Sequence, residues 1–303
     1  MRRAALTLAV LTTTLGLAAC GGGDSTADGT GASADSTPTV VASTDVYGSI
    51  AAAVAGDAAT VTSIIDEPSA DPHSYEADTR TQLALSRADV VVENGGGYDD
   101  FVGTMLDAAD GADPVVVNAV ELSGKDAGGE FNEHVWYDVP TVRKVAAAVE
   151  AALAEASPGD AATFQANADA LDAQLAELEQ RIADAAATTS GTPVAVTEPV
   201  PGYLLDALGA EDRTPGEFAE AIEEETDVPA DVLQETLALF PGGQVRALVH
   251  NEQTTGPQTE RVLEAAQAAD VPVVPVTETL PEGEDYVSWM SANVDAVVSA
   301  LTA

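Results

Sequence analysis

The chain has 303 residues, 11 of them lysine or arginine and 51 aspartate or glutamate, for a formal net charge of -40 at pH 7. So acidic a surface repels nucleic acid and anionic lipid headgroups and gathers a diffuse cloud of cations, which excludes nucleic-acid binding without naming a ligand. A single cysteine excludes an internal disulfide framework, and the length suffices for two lobes of ordinary size.

Arg2 and Arg3 precede an uncharged stretch, residues 4–19, that closes on Leu17-Ala18-Ala19-Cys20. A positive start, an apolar middle and small residues at the cut are the layout of a secretory signal, and the apolar part is too short to span a bilayer as a helix. Cleavage just before Cys20 resembles the bacterial lipoprotein signal. On that likeness residues 1–19 are the signal peptide and the Cys20 thiol is lipidated. The protein is then held at the outer face of the cell membrane. Residues 21–38 contain Gly, Ser, Thr, Ala and Asp with no large apolar side chain. Such a composition cannot build a core, so residues 20–38 read as a lipidated cysteine and flexible tether.

Past the tether, residues 39–157 read as a first lobe. Apolar runs at 39–43, 61–65, 89–93 and 114–117 predict strands, and helical stretches at 47–55, 79–86 and 98–109 fall between them. The third run ends in the turn Asn94-Gly95-Gly96-Gly97. Short apolar strands alternating with helices imply parallel pairing by crossover, an α/β fold with helices on the sheet faces.

Residues 158–187 give the longest uninterrupted helical signal. Ser157 is a capping residue, Pro158 suits a first turn, and Phe164, Leu171, Leu175, Leu178 and Ile182 recur at helical spacing. A rod of about thirty residues is roughly 45 Å long. Its stripe is short and alanine-rich, which favours packing on the chain's own lobes, and a monomer, over a coiled-coil dimer.

Residues 188–303 repeat the first plan, with strands at 194–196, 245–249 and 271–276 and helices at 202–208, 257–268 and 286–301. Two lobes with mainly parallel sheets flanked by helices, joined by one long backbone helix, is the expected architecture. The run Glu223-Glu224-Glu225 reads as a solvated helix face.

Of three histidines, two sit among turn formers. His73 lies in Asp71-Pro72-His73-Ser74-Tyr75-Glu76, shortly after a strand, and His134 in Asn132-Glu133-His134-Val135-Trp136-Tyr137-Asp138, just before a helix. Neutral imidazole is the commonest metal ligand at physiological pH, which makes both candidates. No phosphate loop and no nucleophilic serine or cysteine pattern occurs.

These two segments, with VTEPVPGYLLDALG, VRALVHNEQTTGPQTERVLEAA and VPVVPVTETLPEGEDYVSWM in that order, resemble the metal-binding lipoproteins of ABC importers, the solute-binding proteins for zinc or manganese. The resemblance covers the whole mature chain. It implies that an ABC transporter permease is the partner and that one divalent transition metal ion, Zn2+ or Mn2+, is bound in a cleft between the lobes. It implies four ligands: His73 and His134 from the first lobe, Glu198 and Glu278 from the second. Both glutamates follow the carboxyl ends of expected parallel strands, where open α/β sheets place ligands. Two imidazoles and two carboxylates leave zinc and manganese both open, since carboxylates favour manganese and raw affinity favours zinc. His250 reads as a packing or cleft-lining residue, and Glu76, Glu133, Asp138 and Tyr203 as solvated or capping residues, with orientation of the ligands as their alternative role. The protein is not expected to be an enzyme; a secreted metal-dependent hydrolase and a surface adhesin are the competing readings.

Overall fold

Val90, Val91 and Val92 are all completely buried, although successive residues of a strand face opposite sides of a sheet. Only a sheet covered on both faces accommodates that, and parallel crossovers supply the cover. The computed structural model describes residues 37–70, 72–109, 111–125 and 131–303. Residues 1–36, on which the readings of a signal peptide, a lipidated Cys20 and most of the tether fall, lie outside the described residues.

The first lobe runs β1 (Thr39–Thr44), α1 (Asp45–Ala55), β2 (Thr60–Ile65), α2 (Thr79–Leu85), β3 (Val90–Glu93), α3 (Phe101–Asp107), β4 (Val115–Asn118), α4 (Ala119–Ser123) and α5 (Val139–Ala156). Its strands stand in the order β2-β1-β3-β4, all parallel, with Val40 opposite Val61 on one side and Val90 on the other. After α6 (Ala161–Thr189) come β5 (Pro193–Val196), α7 (Gly202–Ala207), β6 (Glu211–Asp212), α8 (Gly216–Glu223), α9 (Ala230–Ala238), β7 (Ala247–Asn251), α10 (Pro257–Ala268), β8 (Val273–Val276) and α11 (Tyr286–Thr302). The second sheet repeats the first in order and sense, β6-β5-β7-β8. The expected two-lobed α/β architecture is present.

The joining helix α6 starts at Ala161, three residues later than expected. Ser157 ends α5 instead of capping α6, and its hydroxyl donates to the Asp160 carboxylate across the intervening turn. The apolar stripe Phe164, Ala168, Leu171, Leu175, Leu178 and Ile182 is buried in one continuous core that also takes in Val46 and Val149 of the first lobe and Val294 and Val297 of the second. Three elements were not anticipated between residues 209 and 244. β6 has only two residues, too few to show a period, and α8 and α9 are short. β7 extends to Asn251, which pairs with Val276, so His250 lies within the strand.

Candidate metal centre

Of the predicted metal ligands, His73, Glu198 and Glu278 follow the carboxyl ends of parallel strands, and His134, which follows α4, is tied to the turn after β3. His73 follows β2 in a single 3-10 turn, Pro72–Ser74, where the proline ring limits the backbone. His134 immediately precedes the 3-10 turn Val135–Tyr137 and is completely buried. Its loop is tied down from β3: Asn94 donates its side-chain amide to the Glu133 carbonyl, while the Asp99 carboxylate accepts the backbone N–H groups of Asn94 and Gly95. Gly95 has φ 77° and presses on Asn118, where an added Cβ would come within 2.3 Å of the Asn118 amide.

The tautomer of His134 follows from its neighbours. Its Nδ1 lies 2.8 Å from Asn132 Oδ1, an oxygen that also accepts the His134 backbone N–H. A carboxamide oxygen only accepts, so Nδ1 carries the proton and the Nε2 lone pair faces the cleft. Asn132 also donates to the carbonyl of Pro199, the residue after Glu198, and its own carbonyl accepts the Tyr203 hydroxyl. Tyr203 thus acts through the His134 loop. Asp138 instead caps α5.

Glu278, two residues past β8 and 1 % exposed, is held at both oxygens. Asn251 donates to Oε1 at 2.9 Å and the Tyr98 hydroxyl to Oε2 at 3.1 Å. Glu278 Oε2 lies 3.5 Å from Nε2 of both His73 and His134. Burial pushes this carboxyl up, but the two imidazoles facing it outweigh that and hold it well below the usual carboxylate range. His73, His134 and Glu278 form a group whose donor atoms all lie within 4.8 Å of one another.

Glu198 is 4 % exposed but is not gathered into that group. Its Oε2 is buried without a hydrogen-bond partner. Burial, then the Glu278 charge, raises its pKa to about 7 against the easing contacts of Asn251 and Thr254. His250 is buried, with Nδ1 3.4 Å from the Thr197 hydroxyl, and belongs to none of the donor groups.

The expectation of a solvated face fails for Glu223. It ends α8 with its side chain 11 % exposed, and Oε1 lies 3.6 Å from His73 Nε2 and 3.5 Å from His134 Nε2. The reason is the packing of α8: Phe218, Ala219, Ala221 and Ile222 are buried, and Glu223 falls one turn beyond Ala219 on the inward side. Glu224 and Glu225 are exposed, as expected. Burial, followed by the charges of Glu133, Glu278 and Glu198, pushes the Glu223 carboxyl well up. Glu133 and Glu223 form a second donor group with His73.

Residues 40–300 match the family model described as ZnuA, zinc-uptake complex component A, periplasmic. The chain belongs to this family. Membership places it among extracytoplasmic metal-binding components of uptake complexes, a transport family and not an enzyme family. At 26 % identity it is similar over 100 % of both chains to the manganese-binding lipoprotein MntA of Halalkalibacterium halodurans. It is 24 % identical over 99 % of both chains to the manganese ABC transporter substrate-binding lipoprotein scaA of Streptococcus gordonii. The fold is similar to the periplasmic zinc-binding protein TroA of Treponema pallidum, with TM-score 0.74 and 22 % identity over 88 % of this chain and 100 % of the other. It is also similar to FpvC of Pseudomonas aeruginosa in complex with Mn2+, with TM-score 0.73 and 21 % identity over 88 % and 98 % of the two chains.

Proposed function

We propose that the protein captures one divalent transition metal ion, zinc or manganese, between its lobes and delivers it to an ABC transporter permease. The observation that carries this is His134: a wholly buried imidazole with Nδ1 satisfied by Asn132 and an unpartnered Nε2 aimed at Glu278 Oε2. A buried polar atom without a partner costs stability, and a cation shared with His73 and Glu278 would remove that cost. Glu198 completes the four ligands that the family's pattern suggests. In this reading the ion is cargo. Protein donors surround it, in contrast to a catalytic zinc site that keeps a position open for water, so we assign the chain no reaction.

The mature protein is read as a lipid-anchored monomer, attached through Cys20 outside the cytoplasm. Among the described residues no helix is long and apolar enough to cross a membrane. The test is metal analysis and calorimetric titration with Zn2+ and Mn2+ of the chain lacking residues 1–20, beside His73→Ala and His134→Ala. One ion per chain, lost in both variants, is expected. Unchanged titration in either variant, or two tight ions by native mass spectrometry, would refute the single-cleft reading.

A further inference from the structure

We infer that Glu223 is a direct ligand of the captured ion, closing a cage with His73, His134 and Glu278, and that Glu198 stands in the layer behind. This rests on the metal-capture reading above and changes the identity of its fourth donor.

The distances carry the inference. A four-coordinate ion with bonds of about 2.0–2.2 Å holds its donors about 3.3–3.6 Å apart, the edge of the tetrahedron. Four of the six edges of such a tetrahedron are present: Glu223 Oε1 is 3.6 and 3.5 Å from the Nε2 atoms of His73 and His134, and Glu278 Oε2 is 3.5 Å from each. Two carboxylates from different elements therefore bracket the same pair of nitrogens at ligand spacing.

The hydrogen-bond pattern agrees. His134 Nε2 and both carboxylate oxygens of Glu223 are buried without a hydrogen-bond partner. His134 Nε2 and Glu223 Oε1 face one another at 3.5 Å without a hydrogen-bond partner, a cost in a native interior that a shared cation would remove. Glu198 has one such oxygen and feels the His73 charge, but its polar side-chain contacts are with Asn251 and Thr254, and it shares no donor group with either histidine. The helix delivering Glu223 is firmly seated, because Phe218, Ala221 and Ile222 pack into the second lobe's own apolar cluster with Leu248 and Val262.

The experiment compares the mature chain with Glu223→Gln, Glu198→Gln and Glu223→Asp, titrated with Mn2+ and Zn2+, using the visible spectrum of the Co2+ form as a direct report on its ligands. Loss of an outer, orienting partner weakens metal affinity by about 10–100-fold. Glu223→Gln should exceed about 100-fold and change the Co2+ spectrum, while Glu198→Gln stays within that range and keeps the wild-type bands. Glu223→Asp, which retains the charge on a shorter stem, should recover part of the affinity. The assignment is overturned if Glu223→Gln binds within about 100-fold of wild type or leaves the Co2+ spectrum unaltered, or if Glu198→Gln is the more damaging change. Thermal melting of each metal-free variant verifies the fold. Full binding by His73→Ala would instead sink the underlying metal-capture reading.

Discussion

The carboxamide oxygen of Gln253 accepts the backbone N–H of Glu278 at 2.5 Å. The amino group of the same side chain donates to the Ala70 carbonyl and to the Thr279 hydroxyl, each at 2.7 Å, and that hydroxyl reaches on to the Pro68 carbonyl. One amide thus ties the segment leading into His73 to the segment bearing Glu278, across the two lobes. Gln253→Ala should weaken metal binding by about 10–100-fold, the range for loss of an orienting group. Faster hydrogen exchange at the Glu278 amide would locate the effect. An unchanged exchange rate would mean that the tie is not formed in solution.

Asn132 fixes the proton of His134 on Nδ1 and joins that loop to Pro199. Asn132→Leu removes the acceptor, and an affinity loss of about 10–100-fold is expected by titration. Asn132→Asp, which keeps an acceptor toward Nδ1 but loses the donor to the Pro199 carbonyl, should restore only part of it.

Metal capture should fade in acid, because imidazole and carboxylate coordinate only when deprotonated, and burial has already raised the Glu198 carboxyl to about 7. Binding in buffers of different ionisation enthalpy should reveal proton release on metal uptake. A titration independent of pH between 5 and 8 would contradict histidine ligation.

Asp45 opens α1 and accepts the Leu280 N–H with both carboxylate oxygens, yet burial raises its pKa from 3.8 to about 6. Below about pH 4 native and unfolded chains both hold this proton. Between about 4 and 6 the native state keeps it and the unfolded state releases it, so this group's contribution to stability falls as pH rises and is fully lost above 6. The cost at pH 8 is on the order of 2–3 kcal/mol. Asp45→Asn should therefore raise the metal-free melting temperature at pH 8 and leave it nearly unchanged at pH 4, checked by calorimetry.

Leu175, fully buried midway along α6, has no role at the metal centre. Leu175→Ala should cost about 2–5 kcal/mol by denaturant unfolding, through lost burial and the cavity left behind, with metal affinity of the folded protein unchanged.

How legible the site was depended on the local signal. His73 and His134 stand in polar, turn-forming segments next to strands, where a rare imidazole is conspicuous; Glu278 came only with the motif shared with metal-binding lipoproteins. Glu223 was hidden because it opens a run of three glutamates, and composition alone cannot say which of three neighbours turns inward. The buried face of α8 decides it, and the i, i+4 step from Ala219 to Glu223 was the available clue. The strands were readable because consecutive Val residues mark a sheet covered on both sides. β6 was not, since two residues carry no alternation.

The shared core along α6 has a thermodynamic consequence. Because one helix is roofed by α1 and α5 on the first lobe and by α11 on the second, neither half can melt without stripping the keel on which the other is laid. Heating should therefore yield a single calorimetric peak whose van't Hoff and calorimetric enthalpies coincide.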